Sequence, residues 1–232
     1  MAFKRKDRKD DETRPIEAKV GVVKNADGSA MFKIGKTTAI AAVYGPKNIY
    51  PKFLADPTKG VLRCTYAMMP FAGAGDRVRP GPSRRSKEIA LVTQQALEQV
   101  LDLSDFPNSM INVIIELPQT DAGTRCAGIC AAAMALAEAG IPMKDLVASI
   151  AVGVLDKTPV VDLSKEEEDF EGEIADIPIA VHPRSGKVAL LQLDGEVEKD
   201  DFMKAVEMGR KACKKIYEVQ KKALKAKYEV PK

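Results

Sequence analysis

The sequence predicts an α+β fold, duplicated within the chain, with sheets backed by helices. Strand-like segments followed by a helix occur once up to residues 86–103 and again up to 198–228. Strands and helices do not alternate steadily, as a doubly wound parallel sheet would require. At 232 residues, 45% hydrophobic and 30% charged, the composition is globular rather than disordered.

The opening residues, MAFKRKDRKDDETR, carry no apolar run behind their basic residues. Residues 1–13 therefore read as a solvated, mobile tail rather than a secretory signal, leaving residues 14–232 as one domain with an internal duplication. From Ile16 to Val43 the pattern is strand-like, with turns at Asn25–Ser29 and Gly35-Lys36; Asp27-Gly28 is a hairpin signal. A strand at Val61–Met69 should lead into a loop at Pro70–Ser83, rich in Gly, Pro and Arg. Ile89, Val92, Ala96 and Val100 recur at helix spacing within Ser86–Leu103. Met110–Leu117 reads as a buried strand. Arg125–Ala139, mostly Ala, Cys, Ile, Leu and Met, reads as a helix packed on most of its surface and stopped by Gly140-Ile141-Pro142. A short helix at Met143–Leu146 is expected next. Strands at Val147–Leu155, Val160–Leu163, Asp176–Val181 and Val188–Leu193 follow, and Glu198–Tyr228 forms the final helix.

Several function classes drop out. No apolar run approaches the roughly 20 residues that span a bilayer, so a cytoplasmic protein without a membrane partner is expected. A net charge of +3 means that any nucleic-acid surface must be local. Cys126 and Cys130 lie one helical turn apart, but no second Cys/His pair completes a metal site, so they read as small apolar residues. His182 is the single histidine and falls in an expected turn, a poor basis for histidine chemistry. There is no Walker motif, zinc pattern or serine elbow.

Three segments carry chemistry. Thr120–Arg125 runs from a buried strand into a helix, where unpaired N–H groups and the helix dipole attract phosphate. Gly123 admits close approach, Thr124 adds a hydroxyl and Arg125 a charged fork; an ordinary helix cap fits the same residues. Arg77, Arg79, Arg84 and Arg85 crowd one Gly/Pro-rich segment, suited to phosphate backbones without sequence reading, or else a solvated loop. The acidic run Glu166–Glu173 ends where Asp176 enters a buried strand, so Asp176 is a candidate metal ligand or general acid.

In this order the segments resemble the RNase PH family, and within it the catalytic ring subunits of archaeal exosomes. The resemblance spans nearly the whole chain after the first residues. Arg14-Pro15-Ile16, Asp27–Ala30, Gly35-Lys36-Thr37 and Val43–Pro46 look like the family's opening strands. Ser83-Arg84-Arg85 with Glu88-Ile89 looks like its RNA-binding segment, Asp121–Arg125 like its phosphate-binding turn, and Gln192–Gly195 continues the match. Glu168-Asp169 through Asp176-Ile177-Pro178 looks like its paired catalytic aspartates. Here Asp169 and Asp176 stand seven apart rather than six, which makes Asp176 the firmer assignment and leaves Glu168 or Glu171 as alternatives to Asp169.

The resemblance implies a duplicated ribosomal-protein-S5-domain-2-like fold with mixed sheets. It implies a phosphate-dependent 3′-to-5′ exoribonuclease releasing nucleoside diphosphates. Gly123, Thr124 and Arg125 would hold inorganic phosphate, Arg84 and Arg85 with Arg77 and Arg79 would hold single-stranded RNA, and Asp176 with Asp169 would be catalytic, holding Mg or Mn if a metal is used. It further implies a ring of three heterodimers with an inactive sister subunit, and S1/KH-type RNA-binding cap proteins. A non-catalytic RNA-guiding ring subunit and a stand-alone tRNA-trimming enzyme are the alternatives.

Overall fold

The computed structural model describes Arg5 and residues 7–229. Ten strands and four α-helices occur among them: β1 (Ile16–Val20), β2 (Gly28–Ile34), β3 (Thr37–Asn48), β4 (Val61–Met68), α1 (Arg84–Glu98), β5 (Ser109–Gln119), α2 (Thr124–Glu138), β6 (Ala148–Leu155), β7 (Thr158–Val161), α3 (Lys165–Glu168), β8 (Ile174–His182), β9 (Lys187–Leu191), β10 (Asp194–Gly195) and α4 (Lys199–Ala226). The first sheet has the order β1-β2-β3-β5-β4, antiparallel except where β4 runs parallel to β5. The second is antiparallel, with order β10-β8-β6-β7 and β9 also pairing with β8.

Helix α2 sits between the two sheets. Cys126 through Leu136 are all buried, as a helix must be when it packs on every side. Its small residues let the backbones close in: a Cβ on Gly28 would lie 2.4 Å from the Ala135 carbonyl and 2.3 Å from the Ala139 nitrogen. One apolar core runs from Phe32 and Ile115 through Ile129 and Met134 to Ile150, Ile177 and Ile216. Cys130 belongs to it, Cys126 is buried as well, and burial pushes the Cys126 thiol up to about 12.

Two expectations need correcting. Met143–Leu146 is not a helix. Met143 bridges to Leu101 and Lys144 N donates to the Val100 carbonyl, so the segment spends its backbone groups on the residues that follow α1. The expected mobile tail is pinned at points over its described part: Arg5 is buried and the Val161 amide donates to the Asp10 carbonyl at 2.8 Å, while Asp7 and residues 9–12 stay exposed. Charge made this segment look solvated, but a buried carboxylate, Glu167, is its partner.

Candidate active site

The connection from β5 to α2 is four residues, Thr120–Gly123, and turns through two left-handed positions, Ala122 at φ 55° and Gly123 at φ 61°. Glycine adopts this without strain, whereas an L-residue such as Ala122 gives up about 1–2 kcal/mol. Buried Thr37 holds the strained turn: its hydroxyl donates to the Ala122 carbonyl at 2.7 Å and accepts from the Asp121 amide at 2.8 Å. The first N–H groups of α2 have no carbonyl within the helix to bond. Gly123 and Thr124, which begin it, line an open cleft of about 890 Å³.

Lys36, Met68, Phe71 and Arg85 line the same cleft, together with Lys165, Glu166 and Glu168 of α3. Phe71 is 73% exposed, a bare aromatic face beside a polar cavity. The expected start of α1 at Ser86 moves to Arg84, because Ser83 and Ser86 form a reciprocal capping box with bonds of 3.0 and 2.7 Å. Arg84 and Arg85 thus occupy the first turn of a helix, where the dipole disfavours cations and where this helix has no acidic residue. Such a placement is unfavourable unless an anion arrives. Arg77 and Arg79 are exposed in the preceding loop, and among the described residues none of the four arginines joins an ion pair.

Asp176 lies on β8, in register with Gly153 of β6 and Asp194 of β10. Its Oδ1 is buried without a partner among the described residues. Burial pushes this carboxyl up to about 6, helped by the charges of Glu168 and Asp194 and opposed by Arg125 and Arg85. Glu168 is itself held above its ordinary range, mainly by burial. Asp169, the other expected catalytic aspartate, is turned outwards: it caps α3, its side chain is 61% exposed, and it pairs with Lys165 at 2.5 Å. The structure thus brings Glu168, not Asp169, towards Asp176.

Arg125 stands beside the cleft rather than in its lining. Its guanidinium donates to Glu88 at 3.2 Å and to Gln192, which in turn donates to Glu88 at 2.8 Å. His182 is buried at the far end of β8 from Asp176, and burial lowers its pKa.

Sequence reading missed the frame behind the turn. Arg14 donates through Nε and Nη2 to Asp162 at 2.9 and 2.7 Å and through Nη1 to the Asp121 carbonyl at 2.6 Å and its carboxylate at 3.1 Å. Arg14 thereby ties the turn to the loop that leads into α3. No local signal announces a pair separated by 148 residues.

A divalent ion is compatible with this donor set in one form. Among the described residues no three His, Cys, Asp or Glu side chains converge as a cage. Asp176, with an unpartnered buried oxygen, and Glu168 offer two carboxylates, and Mg²⁺ is commonly held by one or two carboxylates plus substrate phosphates.

Comparison with known proteins agrees with this layout. Residues 12–142 match the 3′ exoribonuclease family, domain 1, and residues 145–212 match domain 2 of the same family. The chain is 52% identical to the exosome complex component Rrp41 of Thermococcus kodakarensis over 221 residues, 95% of this chain and 88% of that protein. It is 45% identical to the Rrp41 of Methanopyrus kandleri, covering 95% of this chain and 91% of that one. Rice Rrp46 superposes with a TM-score of 0.81 at 26% identity, over 94% of this chain and 98% of the rice chain.

Proposed function

Since the chain belongs to the 3′ exoribonuclease family, that of RNase PH, we propose that it is the catalytic ring subunit of an exosome, degrading RNA from the 3′ end with inorganic phosphate. The observation that carries this reading is the meeting of a helix start at Gly123-Thr124 with Glu168 and Arg85 around one cleft, with the buried carboxyl of Asp176 behind its lining and within reach of the charges of Glu168 and Arg85.

Phosphate is already anionic at neutral pH, so phosphorolysis needs no base to make its nucleophile. It needs positive groups that hold two repelling anions together. The N–H groups and hydroxyl at Gly123-Thr124 take the attacking phosphate. Arg125 joins them, because a phosphate dianion is a stronger partner than the partly exposed Glu88 it bonds at rest. Arg84 and Arg85 hold the RNA backbone, Arg77 and Arg79 extend that contact, and Phe71 offers a face for stacking a base. A phosphate oxygen bonds to the scissile phosphorus, the bond from phosphorus to the 3′ oxygen breaks, and that oxygen takes the proton of Asp176. The products are a nucleoside diphosphate and RNA one nucleotide shorter. In the alternative, Asp176 is deprotonated and would with Glu168 hold a divalent ion, which would supply charge neutralisation in place of that proton.

The partners that follow are single-stranded RNA, an inactive sister subunit alternating in a ring of three heterodimers, and S1/KH-type caps, in the cytoplasm. Identities of 45–52% to exosome components, with Asp176 and Gly123-Thr124-Arg125 in place, count against a purely structural subunit and a stand-alone tRNA-trimming enzyme.

The test is RNA labelled at every nucleotide, incubated with and without phosphate, on this chain alone and mixed with its sister. Nucleoside diphosphates should appear only with phosphate; monophosphates released at full rate without it would make the protein a hydrolase. Arg125→Ala should weaken phosphate use more than RNA binding, by about 1.5–3 kcal/mol for a charge-assisted contact. Wild-type turnover at limiting phosphate would contradict that role. The double variant Arg84→Ala/Arg85→Ala should bind RNA more weakly whatever its sequence. Its log–log salt slope should drop by about 1.4, two single-strand phosphate contacts fewer. An unchanged slope would take both residues off the RNA path.

A further inference from the structure

The N-terminal segment has no part in the chemistry above, yet it holds the most heavily bonded carboxylate near the cleft. Glu167 accepts from Arg5 Nε at 2.7 Å, Arg5 Nη2 at 3.0 Å, Arg8 Nη2 at 2.9 Å and the Ser164 amide at 2.8 Å. The side chains of Arg5, Arg8 and Glu167 are 1%, 7% and 7% exposed. Both arginines also donate to the Asp162 carbonyl, at 3.3 and 2.6 Å. The Asp10 carbonyl accepts from Val161, which fastens the segment to β7.

We propose that Arg5 and Arg8 are positioning residues for the active cleft, locking Glu167 and so fixing the one-turn helix α3 that presents Lys165, Glu166 and Glu168 to substrate. A helix of four residues does not hold itself in water, because helix nucleation costs more than one turn of hydrogen bonds returns. Beyond its cap come Phe170, packed against Leu155, Val160 and Leu163, and then the exposed stretch Glu171–Glu173, so the arginines hold the helix from the side opposite the cleft while Phe170 holds only its end. Of its four residues, three line the cleft; the fourth, Glu167, points the other way into the two arginines. The geometry separates the roles cleanly. Glu167 is the anchor, and its neighbours are what the anchor aims. Loss of the arginines therefore alters the cleft wall before it alters the core.

This inference rests on the proposed phosphorolysis for its consequence, but not for its structural claim. In the full chain assembled with its ring partners, Arg5→Gln/Arg8→Gln should speed amide hydrogen exchange at residues 164–169 at least tenfold while β2–β5 keep their protection. Single-turnover decay of labelled RNA at saturating phosphate should slow at least tenfold, with RNA affinity held within about twofold. Combined with Glu168→Gln, the losses should fall short of multiplying, since Glu168 is one of the side chains that the arginines aim. Exchange at 164–169 that stays at the wild-type rate, or rate losses that simply multiply, overturns the proposal. Should the double variant fail to fold, Glu167→Gln keeps an oxygen for the Ser164 amide and removes the charge. It should show the same exchange and rate changes, and wild-type values in both overturn the proposal equally. A wild-type ring that does not use phosphate would sink the proposed function instead, and the exchange data would still decide the role of the arginines.

Discussion

Asp176→Asn should slow phosphate-dependent RNA decay at least 100-fold on intact rings while leaving assembly unchanged. A positioned general acid contributes about 10²–10⁴ in rate, and Asn fills the same space without a proton to give. Burial, then the charge of Glu168, holds the Asp176 carboxyl near 6, so the protonated form is on hand where an ordinary aspartate would have lost it. Two bound anions push that value further up. The wild-type rate should therefore fall as pH rises through this region, and the variant should lack that limb.

Stability gives an independent reading of the same group. Its folded pKa is raised from 3.8 to about 6, so the folded state binds the proton more tightly than the unfolded chain does. The contribution of Asp176 is complete below pH 3.8 and is lost as pH rises through about 6. Asp176→Asn should then stabilise the chain at pH 8, by at most about 3 kcal/mol, and give no such gain near pH 4. Affinity for RNA should hold or rise at pH 8, since a carboxylate that repels the backbone is gone. An Asp176→Asn ring that degrades RNA within tenfold of wild type removes this residue from the mechanism.

Arg14→Met should be the most destabilising single change in the frame around the turn, costing about 3–5 kcal/mol. The guanidinium is 7% exposed and Asp162 only 2%, so the substitution leaves a buried carboxylate with no cation. Burial by itself works against the charge on Arg14, but the hydrogen bonds and charge of Asp162 outweigh it, supported by Asp121 and Glu167. In a chain of this size the loss corresponds to a fall in melting temperature of roughly 6–20 °C. Arg14→Lys should recover little, because an ammonium cannot form the fork to Asp162 while also reaching Asp121. Asp162→Asn in the Arg14→Met background should recover a large share, since the cost is the stranded charge. At temperatures where the variant stays folded, the half-saturating phosphate concentration should rise because the Asp121 end of the turn is untied. A melting temperature within about 2 °C of wild type would show that the pair bears little on stability.

The sequence was legible where apolar patterning or turn chemistry is local. The hairpin signalled by Asp27-Gly28 joins β1 to β2, although Gly28 and Ser29 of the expected turn already belong to β2, and the apolar helix near residues 125–139 is α2. Ser164-Lys165-Glu166-Glu167 was readable too: it is a capping-box signature, and the structure closes it with Glu167 bonded to the Ser164 amide. Read that way, the acidic run contains one helical turn, and helix geometry, not counting along a loop, decides which carboxylate faces Asp176. Pairings such as Arg5 with Glu167, separated by 162 residues, leave no local trace. Nor does the strain at Ala122, which depends on Thr37 from another strand.

The place of α2 has a consequence for how such a chain can change. The two matched segments meet between residues 142 and 145, yet the helix counted with the first segment lies against β6 and β8 of the second as well as against β2, β3 and β5. Produced separately, residues 12–142 would carry a helix with a bare apolar flank, and the remainder would lack the wall of its own interior. The halves should be insoluble alone and recover only when refolded together. The two halves are joined by more than covalent connection: a substitution at Ile129 or Met134 is felt by both at once, so drift in one inner surface obliges drift in the other.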